Sequence, residues 1–224
     1  MTHGHPLYVL GDGYGMVEAV DSLGSDDTVV RAARVSYAND EVEKDPEADT
    51  RLIRYLARNG HYTPFEHCVL TLHVVCPLFI ARQWMRHRAF SYNEISRRYT
   101  SEEIRFYIPK TWRRQAEDNR QASHGELATK VPTHLLFKHV DAAASLYEEL
   151  LEIGVAREQA RMVLPQNLYT RYYVTGDLRN WAHFVRLRIA PDAQYEMQLY
   201  AKAVRDILYW TFPRSAAALL EEER

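Results

Sequence analysis

Hydrophobic residues recur along this chain with two spacings, the two-residue period of strands and the 3.6-residue period of amphipathic helices. Near the N-terminus, residues 7–10 and 16–20 are predicted to be short strands, joined by a glycine cluster at 11–15. Two helices are predicted next, at 26–37 and 48–59, and the second stops at a glycine.

The middle of the chain mixes strand, helix and loop signals. The acidic stretch 39–49 contains a proline and is expected to be a solvated connection. Residues 69–75 alternate enough for a strand, and the run 78–85 predicts a helix that the preceding proline starts. An ordered loop is predicted over 89–98, because its serines and asparagine favour turns. Residues 104–108 are again strand-like.

The C-terminal half predicts mostly helices. Residues 110–133 lack a sustained period and are expected to be a surface excursion. Helices are predicted, in order, at 135–153, 156–163, 178–187 and from 192 to about 210. Asp177 and Asp192 are the expected N-caps of the last two helices, and the tail 213–224 is expected to be frayed. Residues 167–174 fit either a short helix or a strand.

These elements predict a single α+β domain over residues 1–224, rich in helices and with a modest, mainly antiparallel sheet. The 224 residues are 46% hydrophobic and 26% charged, which suits one well-packed core and is typical of globular proteins. We find no linker and no internal repeat in the sequence.

Charge and targeting signals exclude several classes of protein. A formal net charge of -2 and a pI near 6.6 provide no general attraction to nucleic acid or to an anionic membrane. The N-terminus lacks the charged and apolar regions of a signal peptide, and no run reaches the length of a membrane span. We therefore expect a cytoplasmic protein with no nucleic-acid or membrane partner.

Three features are superficially similar to cofactor, metal or disulfide sites. The cluster 11–15 follows a strand, but a dinucleotide-binding loop needs Gly-x-Gly-x-x-Gly at the start of a helix. Three histidines within 61–73 lack the close spacing of a zinc site, so no metal site is expected. Cys68 and Cys76 lie eight residues apart in one strand segment, so we expect no disulfide between them.

The stretch 83–99 is unusual in its polar residues. Four arginines and a histidine accompany one carboxylate, Glu94, among four aromatic residues. Guanidinium groups bind phosphate oxygens through paired hydrogen bonds and stack on planar rings, so this composition favours an anionic, aromatic ligand. If the helix before it continues, Gln83, Arg86 and His87 share one face. A solvated helix end and a surface for single-stranded nucleic acid are the alternatives.

The pattern Arg86-His87-Arg88-x-x-Ser91-x-Asn93-Glu94-x-Ser96-x-Arg98-Tyr99 resembles the signature of the flavin-dependent thymidylate synthases at every fixed position. The resemblance extends in blocks from about residue 17 to 200. Further blocks that resemble motifs of this family are 31–36, 63–67, 160–165, 167–171 and 193–196. Two positions depart from the family: Asp177 stands where an asparagine is common, and 189–192 lacks a histidine that some relatives carry.

The resemblance implies reductive methylation of dUMP to dTMP. In this reaction methylenetetrahydrofolate is the carbon donor, FAD the redox carrier and NADPH the reductant. The resemblance also implies a homotetramer with sites built between subunits, and a mechanism without a cysteine nucleophile. A flavin enzyme that acts on another nucleotide is a further alternative.

The resemblance assigns individual residues to these ligands. Those it places at the flavin are Ser36, Thr63, Glu66, Arg86, His87, Arg88, Asn93, Glu94, Asp177, Arg179 and His183. Those it places at dUMP are Gln83, Arg86, Glu94, Ser96, Arg97, Arg98, Arg161 and Arg188. Arg188 is the expected catalytic residue, which stabilises negative charge on the uracil. Ser96 has no evident base to activate it and is assigned to binding, and Arg97 is expected to contribute its backbone amide.

Without the resemblance, several of these residues have ordinary structural explanations. Ser36 and Asp177 fit helix caps, and Thr63 before a proline fits a turn. Arg161 and Arg188 fit the C-terminal ends of helices, where positive charge is favourable.

Overall fold

Seven strands form two antiparallel sheets in the computed structural model, which describes residues 5–36, 45–100, 104–117 and 123–220. The strands are β1 Leu7–Tyr8, β2 Met16–Leu23, β3 Val69–Pro77, β4 Ser91–Glu94, β5 Arg113–Gln115, β6 Ser123–Glu126 and β7 Tyr169–Asp177. The main sheet has the order β1-β2-β3-β7-β4, and β5 and β6 form a separate hairpin. The predicted N-terminal hairpin is confirmed, since β1 pairs antiparallel with β2.

Helices pack around this sheet. They are α1 Asp26–Val35, α2 Pro46–Arg58, α3 Leu78–Trp84, α4 Val131–Glu152, α5 Arg157–Ala160, α6 Leu178–Ile189, α7 Tyr195–Thr211 and α8 Pro213–Leu220. Two short 3-10 helices, Thr63–His67 and Arg161–Val163, lie in the connections. The predicted α+β class is confirmed. Within the described ranges, no helix is both long and apolar enough to cross a membrane.

The longest pairing joins β3 to β7 in continuous register over nine residues of each strand. Residues 167–174, for which the sequence allowed either a short helix or a strand, therefore lie mainly in strand β7. Tyr172 and Val174 are buried, whereas Tyr173 between them is 52% exposed. This period of two is typical of a strand with one covered face.

The covered face of the sheet packs against α3 and α6 through aromatic side chains, and α7 packs beside α6. The ring centroid of Trp84 lies 4.6 Å from that of Phe184 and 6.4 Å from that of Trp181. Phe90 stacks at 4.3 Å on Trp181, and its ring occupies the space that a side chain at Gly176 would need. These contacts fix α3 and α6 relative to each other.

The stretch after α3 differs from the sequence prediction. α3 ends at Trp84, because the His87 N–H donates to the Trp84 carbonyl (2.9 Å) and the chain tightens into a three-residue turn. The prediction that Gln83, Arg86 and His87 share one helix face is therefore wrong. The predicted loop 89–98 contains β4, because its backbone pairs with β7 at the sheet edge.

α2 begins inside the stretch that was expected to be a connection. The Asp45 carboxylate accepts hydrogen bonds from the backbone N–H groups of Glu47 (3.0 Å) and Ala48 (3.2 Å), and Pro46 takes the first helical position. The rest of the predicted connection, residues 39–44, lies outside the described residues, as does the last predicted residue of the first helix.

Later elements keep the predicted order with different bounds. The surface excursion 110–133 contains the β5–β6 hairpin and the start of α4, while 118–122 lie outside the described residues. The helix predicted at 156–163 is the short α5 followed by a 3-10 turn, which tightens the chain shortly before Pro165. Residues 104–108 contribute an isolated bridge instead of a strand.

The prediction of a frayed tail is wrong for 213–220, which form α8. The Asp26 carboxylate on α1 accepts hydrogen bonds from the backbone N–H groups of Arg214 (3.0 Å) and Ser215 (2.9 Å). N–H groups in the first turn of a helix have no partner within it, so Asp26 caps α8 from 188 residues away along the chain. The remaining tail residues, 221–224, lie outside the described part of the chain.

Removing this cap should destabilise the fold. We expect Asp26→Ala to lower the free energy of unfolding by about 2–3 kcal/mol, because two buried N–H groups lose a charged acceptor. Asp27→Ala is the control: the Asp27 side chain is 46% exposed and pairs with Arg214 nearer the surface, so its loss should cost less than about 1 kcal/mol. Urea unfolding followed by circular dichroism measures both, and equal losses would contradict the capping role.

Candidate functional site

Arg188 lies at the end of α6, where this helix meets the turn after α3. Its Nε donates to Nε2 of His87 (2.9 Å), and its Nη2 donates to the backbone carbonyl of Gln83 (3.1 Å). If α3 continued past Trp84, the Gln83 carbonyl would accept the His87 N–H. The early end of α3 therefore leaves an acceptor that holds Arg188.

His87 is held in its neutral form. The pKa of His87 is lowered to about 4, first by burial and then by the charges of Arg188 and His183. A neutral imidazole has one acceptor nitrogen, and Nε2 accepts from Arg188, so the proton resides on Nδ1. Burial also lowers the pKa of Arg188, but a guanidinium stays charged in proteins. The charged guanidinium of Arg188 is therefore held in place by neutral His87 and by a backbone carbonyl.

A second group of charged residues lines a cleft of about 150 Å³ beside β4 and β7. Its charged lining residues are Glu94, Arg97 and Arg161. Thr170 Oγ1 donates to the Glu94 carboxylate (2.5 Å), and Arg161 Nε donates to the backbone carbonyl of Glu158 (3.3 Å). Among the described lining residues, two guanidinium groups accompany one carboxylate, a composition that suits an anion.

A third group lies at the start of α6. The guanidinium of Arg179 donates to the Glu66 carboxylate and lies 5.2 Å from the ring centroid of Tyr62. Thr63 is exposed in the same 3-10 helix as Glu66, and Ser36 is exposed at the C-terminal cap of α1. The charged pair and the Thr63 hydroxyl thus share one exposed region with the ring of Tyr62.

The exposed face of α6 connects the first and third groups. His183 follows Arg179 by one helical turn, and its ring centroid lies 6.2 Å from that of His87. Asp177 caps the same helix, because its carboxylate accepts from the backbone N–H (2.8 Å) and the side-chain amide (2.6 Å) of Asn180. Capping alone accounts for an aspartate at this position.

The other signature residues lie at or near the surface. Arg86 and Arg88 are exposed in the turn after α3, and Asn93 is exposed on β4. Ser96 Oγ accepts from the backbone N–H of Arg98 (3.3 Å). The Arg98 guanidinium lies 5.1 Å from the ring centroid of the following tyrosine.

The predicted site residues fall into separate groups in the structure. Gln83, His87 and Arg188 form the first group, and among the described residues none of these three lines the cleft of Glu94 and Arg161. A ligand that contacts both Arg161 and Arg188 is therefore not enclosed by either group alone.

Sequence reasoning gave no role to Gln194 and Glu196. Gln194, and not the predicted Asp192, is the N-cap of α7, and its side chain accepts a hydrogen bond from Gln83. Glu196 is only 4% exposed and pairs with Arg113 (2.7 Å). The available signal was a carboxylate within the apolar stripe of a predicted helix, where burial requires a partner.

Cys68 and Cys76 are unpaired with each other and fully buried. Burial raises the pKa of Cys68 to about 11 and raises the pKa of Cys76 well above its ordinary value. Neither thiol forms the reactive thiolate near neutral pH. Over the described ranges, no three His, Cys, Asp or Glu residues cluster as the ligands of a metal ion would.

Known proteins resemble this chain in sequence and in fold. The family model described as thymidylate synthase complementing protein matches residues 18–214. A flavin-dependent thymidylate synthase of Thermus thermophilus is 48% identical over 207 residues, 92% of this chain and 76% of the relative. One of Thermotoga neapolitana is 47% identical over 205 residues, 88% of this chain and 89% of the relative.

Among solved structures, the chain resembles a UMP/dUMP methylase, PolB from Streptomyces cacaoi, crystallised with 5-Br dUMP. The TM-score is 0.85 at 33% sequence identity, and the match covers 95% of this chain and 96% of the other. The match to the family model, residues 18–214, spans all three groups of charged residues.

The protonation of His87 can be measured directly. In histidine-edited NMR spectra, we expect His87 to titrate with a pKa near 4. Arg188→Met should raise this pKa, though not to the ordinary value of 6.5, because burial remains the larger cause. Since the folded pKa is depressed, the stability that neutral His87 contributes is present above pH 6.5 and is lost as the pH falls towards 4.

Arg186→Met is the control for this titration. Arg186 is on the same helix but donates to the backbone carbonyl of Leu219 (3.3 Å), away from His87. Its removal should leave the pKa of His87 unchanged. If His87 titrates near 6.5 in the unaltered protein, the conclusion that burial and Arg188 keep it neutral is wrong.

Proposed function

The chain belongs to the family of thymidylate synthase complementing proteins, the flavin-dependent thymidylate synthases, and we propose that it methylates dUMP to dTMP. The observation that carries this proposal is the partly buried link of Arg188 to neutral His87 and to the Gln83 carbonyl, at the first residues of the signature. This link fixes a charged donor where the family resemblance requires one.

Arg188 is the proposed catalytic residue. A guanidinium has five N–H donors, and the bonds to His87 and Gln83 use two of them, which leaves three for a ligand. Directed at the N3 and O2 edge of uracil, these donors stabilise the negative charge that develops there as C5 becomes nucleophilic. His87 holds the guanidinium without adding a competing positive charge.

The phosphate and the rest of dUMP are bound by the basic cleft and the signature stretch. Arg161 with the cleft lined by Arg97 and Glu94 supplies positive charge near the phosphate. The complete proposed set of dUMP contacts is Gln83, Arg86, Glu94, Ser96, the backbone amide of Arg97, Arg98, Arg161 and Arg188. Ser96 acts as a binding group, consistent with its contact to the Arg98 backbone.

FAD is the proposed redox cofactor, and the donor set around α6 fits it. The Arg179–Glu66 pair, the ring of Tyr62 and the exposed hydroxyl groups nearby suit a diphosphate and a planar base. The proposed FAD contacts are Ser36, Thr63, Glu66, Arg86, His87, Arg88, Asn93, Glu94, Asp177, Arg179 and His183. When bound, the flavin supplies hydride chemistry, and the protein supplies orientation and electrostatics.

Methylenetetrahydrofolate is the proposed carbon donor and NADPH the proposed reductant. No cysteine acts as nucleophile in this scheme. The burial of Cys68 and Cys76 and their raised pKa values support that part of the proposal, because catalytic cysteines need an accessible thiolate.

We further propose a homotetramer in which the site combines groups from different subunits. In the part of the chain that the structure describes, none of the Arg188 group lines the cleft of Arg161, which supports this arrangement. The surface of α4 supports it as well, because exposed apolar residues recur along one side of this helix and at its C-cap, with the charged Glu149 among them. This stripe, with spacings of four and seven, consists of Val131, Leu135, Ala142, Leu146 and the C-cap residue Ile153. Such a stripe on a 22-residue helix is typical of a helix that packs against another chain.

A ribonucleotide substrate is the second candidate, because the similar crystal structure is named for UMP as well as dUMP. The absorbance of bound flavin should change when a pyrimidine stacks on it. Titrating the FAD-loaded protein with dUMP and, separately, with UMP distinguishes the two candidates. Tighter binding and turnover with UMP would replace dUMP in the proposal.

Substituting Arg188 tests the catalytic role. We expect Arg188→Ala to keep its flavin content and to lower kcat/KM for dUMP by about 10²–10³-fold, the loss typical of a donor aimed at developing negative charge. Arg186→Ala, on the same helix and bonded elsewhere, is the control and should stay near normal. Normal turnover by a flavin-loaded Arg188→Ala enzyme would contradict the catalytic role of Arg188. A purified protein that takes up no FAD would contradict the proposed function as a whole.

Charging the α4 stripe tests the proposed assembly. We expect the double variant Leu135→Glu, Leu146→Glu to lose the mass of four 26.2 kDa chains in light scattering, together with dTMP formation, because charges desolvated between helices are costly. Glu148→Lys, on the same helix but outside the stripe, should remain tetrameric and active. A fully active enzyme of unchanged mass with both glutamates present would contradict the role of the stripe.

A further inference from the structure

Four polar side chains connect the surface hairpin to the end of α3, which holds Arg188. Arg113 on β5 donates from Nη2 to Oε1 of Glu196 (2.7 Å), and Gln194 donates from Nε2 to the other carboxylate oxygen, Oε2 (3.0 Å). Gln83 in turn donates from its Nε2 to Oε1 of Gln194. We call these four residues the polar chain. It ends at the residue whose backbone carbonyl binds Arg188.

The far end of the polar chain is fixed. Glu196 is 4% exposed, so its carboxylate depends on the charged partner Arg113. Arg113 is itself held, because its Nε donates to Ser123 Oγ (2.8 Å) and its guanidinium lies 4.4 Å from the ring centroid of Tyr195. A carboxylate with this support has little freedom to rotate.

The carboxylate also sets the direction of every hydrogen bond in the polar chain. An ionised carboxylate only accepts hydrogen bonds, so Gln194 must turn its NH₂ group towards Glu196. The Gln194 oxygen then faces Gln83, and only the NH₂ group of Gln83 can bond to it. The Gln83 amide oxygen is thereby directed away from Gln194.

We propose that Arg113, Glu196 and Gln194 are positioning residues for nucleotide binding, which act by fixing the orientation of the Gln83 amide. This inference rests on the proposed function, in which Gln83 contacts dUMP. With its orientation set, Gln83 offers the ligand a carbonyl acceptor beside the guanidinium donors of Arg188. Uracil N3–H and the deoxyribose hydroxyl are the donor groups of dUMP that such an acceptor recognises.

Glu196→Gln tests the direction of the bonds while keeping the shape of the side chain. The one amide oxygen of the new residue must face Arg113, because a guanidinium only donates. Its NH₂ group then faces Gln194, which has to turn over and present NH₂ to Gln83. Gln83 turns over in response, so that its amide reaches the ligand with the opposite polarity.

The measurement is the dissociation constant of dUMP for the FAD-loaded enzyme, from the change in flavin absorbance. We expect Glu196→Gln to weaken dUMP binding about 10-fold, the effect of one mismatched hydrogen bond, with unchanged flavin content. Gln83→Ala should weaken binding as well. The double variant should bind no more weakly than Gln83→Ala, since position 196 acts through Gln83. Gln194→Leu interrupts the polar chain without removing a side-chain cap, and it should weaken dUMP binding less than Glu196→Gln, because it frees the Gln83 amide without reversing it.

Asp26→Asn is the matched control for a general loss of stability. Asp26 is 6% exposed and, like Glu196, is a buried carboxylate that accepts two hydrogen bonds. It should lower the melting temperature and leave dUMP affinity unchanged. The inference is overturned if both Glu196→Gln and Gln194→Leu bind dUMP normally, or if the losses from positions 83 and 196 add. An unaltered enzyme that does not bind dUMP would overturn the proposed function, and this inference with it.

Discussion

The antiparallel pairing of β3 with β7 determines where the charged residues of the site can lie. α3 follows the C-terminal end of β3, and α6 follows the C-terminal end of β7. Because the strands are antiparallel, the two helices start at opposite ends of the strand pair. α6 then runs back for 12 residues, about 18 Å at 1.5 Å per residue, and its last turn meets the end of α3. Gln83 and Arg188, 105 residues apart in sequence, are neighbours for this reason. A shift in the strand register would move Arg188 away from both of its acceptors.

Where the ends of α3 and α6 meet, burial keeps His87 neutral, and neutral His87 can accept the hydrogen bond from Arg188. The aromatic packing around Trp84 and Phe184 removes water from His87, and the lowered pKa of this histidine makes it an acceptor for Arg188. A charged His87 would repel the guanidinium instead. The buried Glu196 shows the converse case, because its ion pair with Arg113 orients neutral amides towards the same turn. In the proposed enzyme, the flavin brings the redox chemistry, and these contacts supply preorganised charge.

Sequence patterns identified the features that depend on local interactions, namely the amphipathic helices, the Asp177 cap and the α+β class. They failed where a distant segment decides the local structure. β4 is a strand because β7 offers it a partner, and α8 is ordered because Asp26 caps it from the other end of the chain. The same holds for the site. The signature residues could be recognised in the sequence, but their arrangement in three groups depends on the tertiary fold. Gln194 and Glu196 lie in a block that resembles a family motif, but their contacts were not predicted because their partners, Gln83 and Arg113, lie far away in sequence.

In the proposed enzyme, each chain carries separate parts of a nucleotide site, which are completed between subunits. Co-expressing Arg188→Ala and Arg161→Ala chains with different tags, and purifying the hybrids, tests this most directly. Each variant expressed alone should be inactive. If the two arginines act from different subunits, random mixing should restore about a quarter of the sites and a matching share of dTMP formation. If both act from one chain, every site in every hybrid lacks one arginine. Hybrids as inactive as the parent variants would therefore contradict the account.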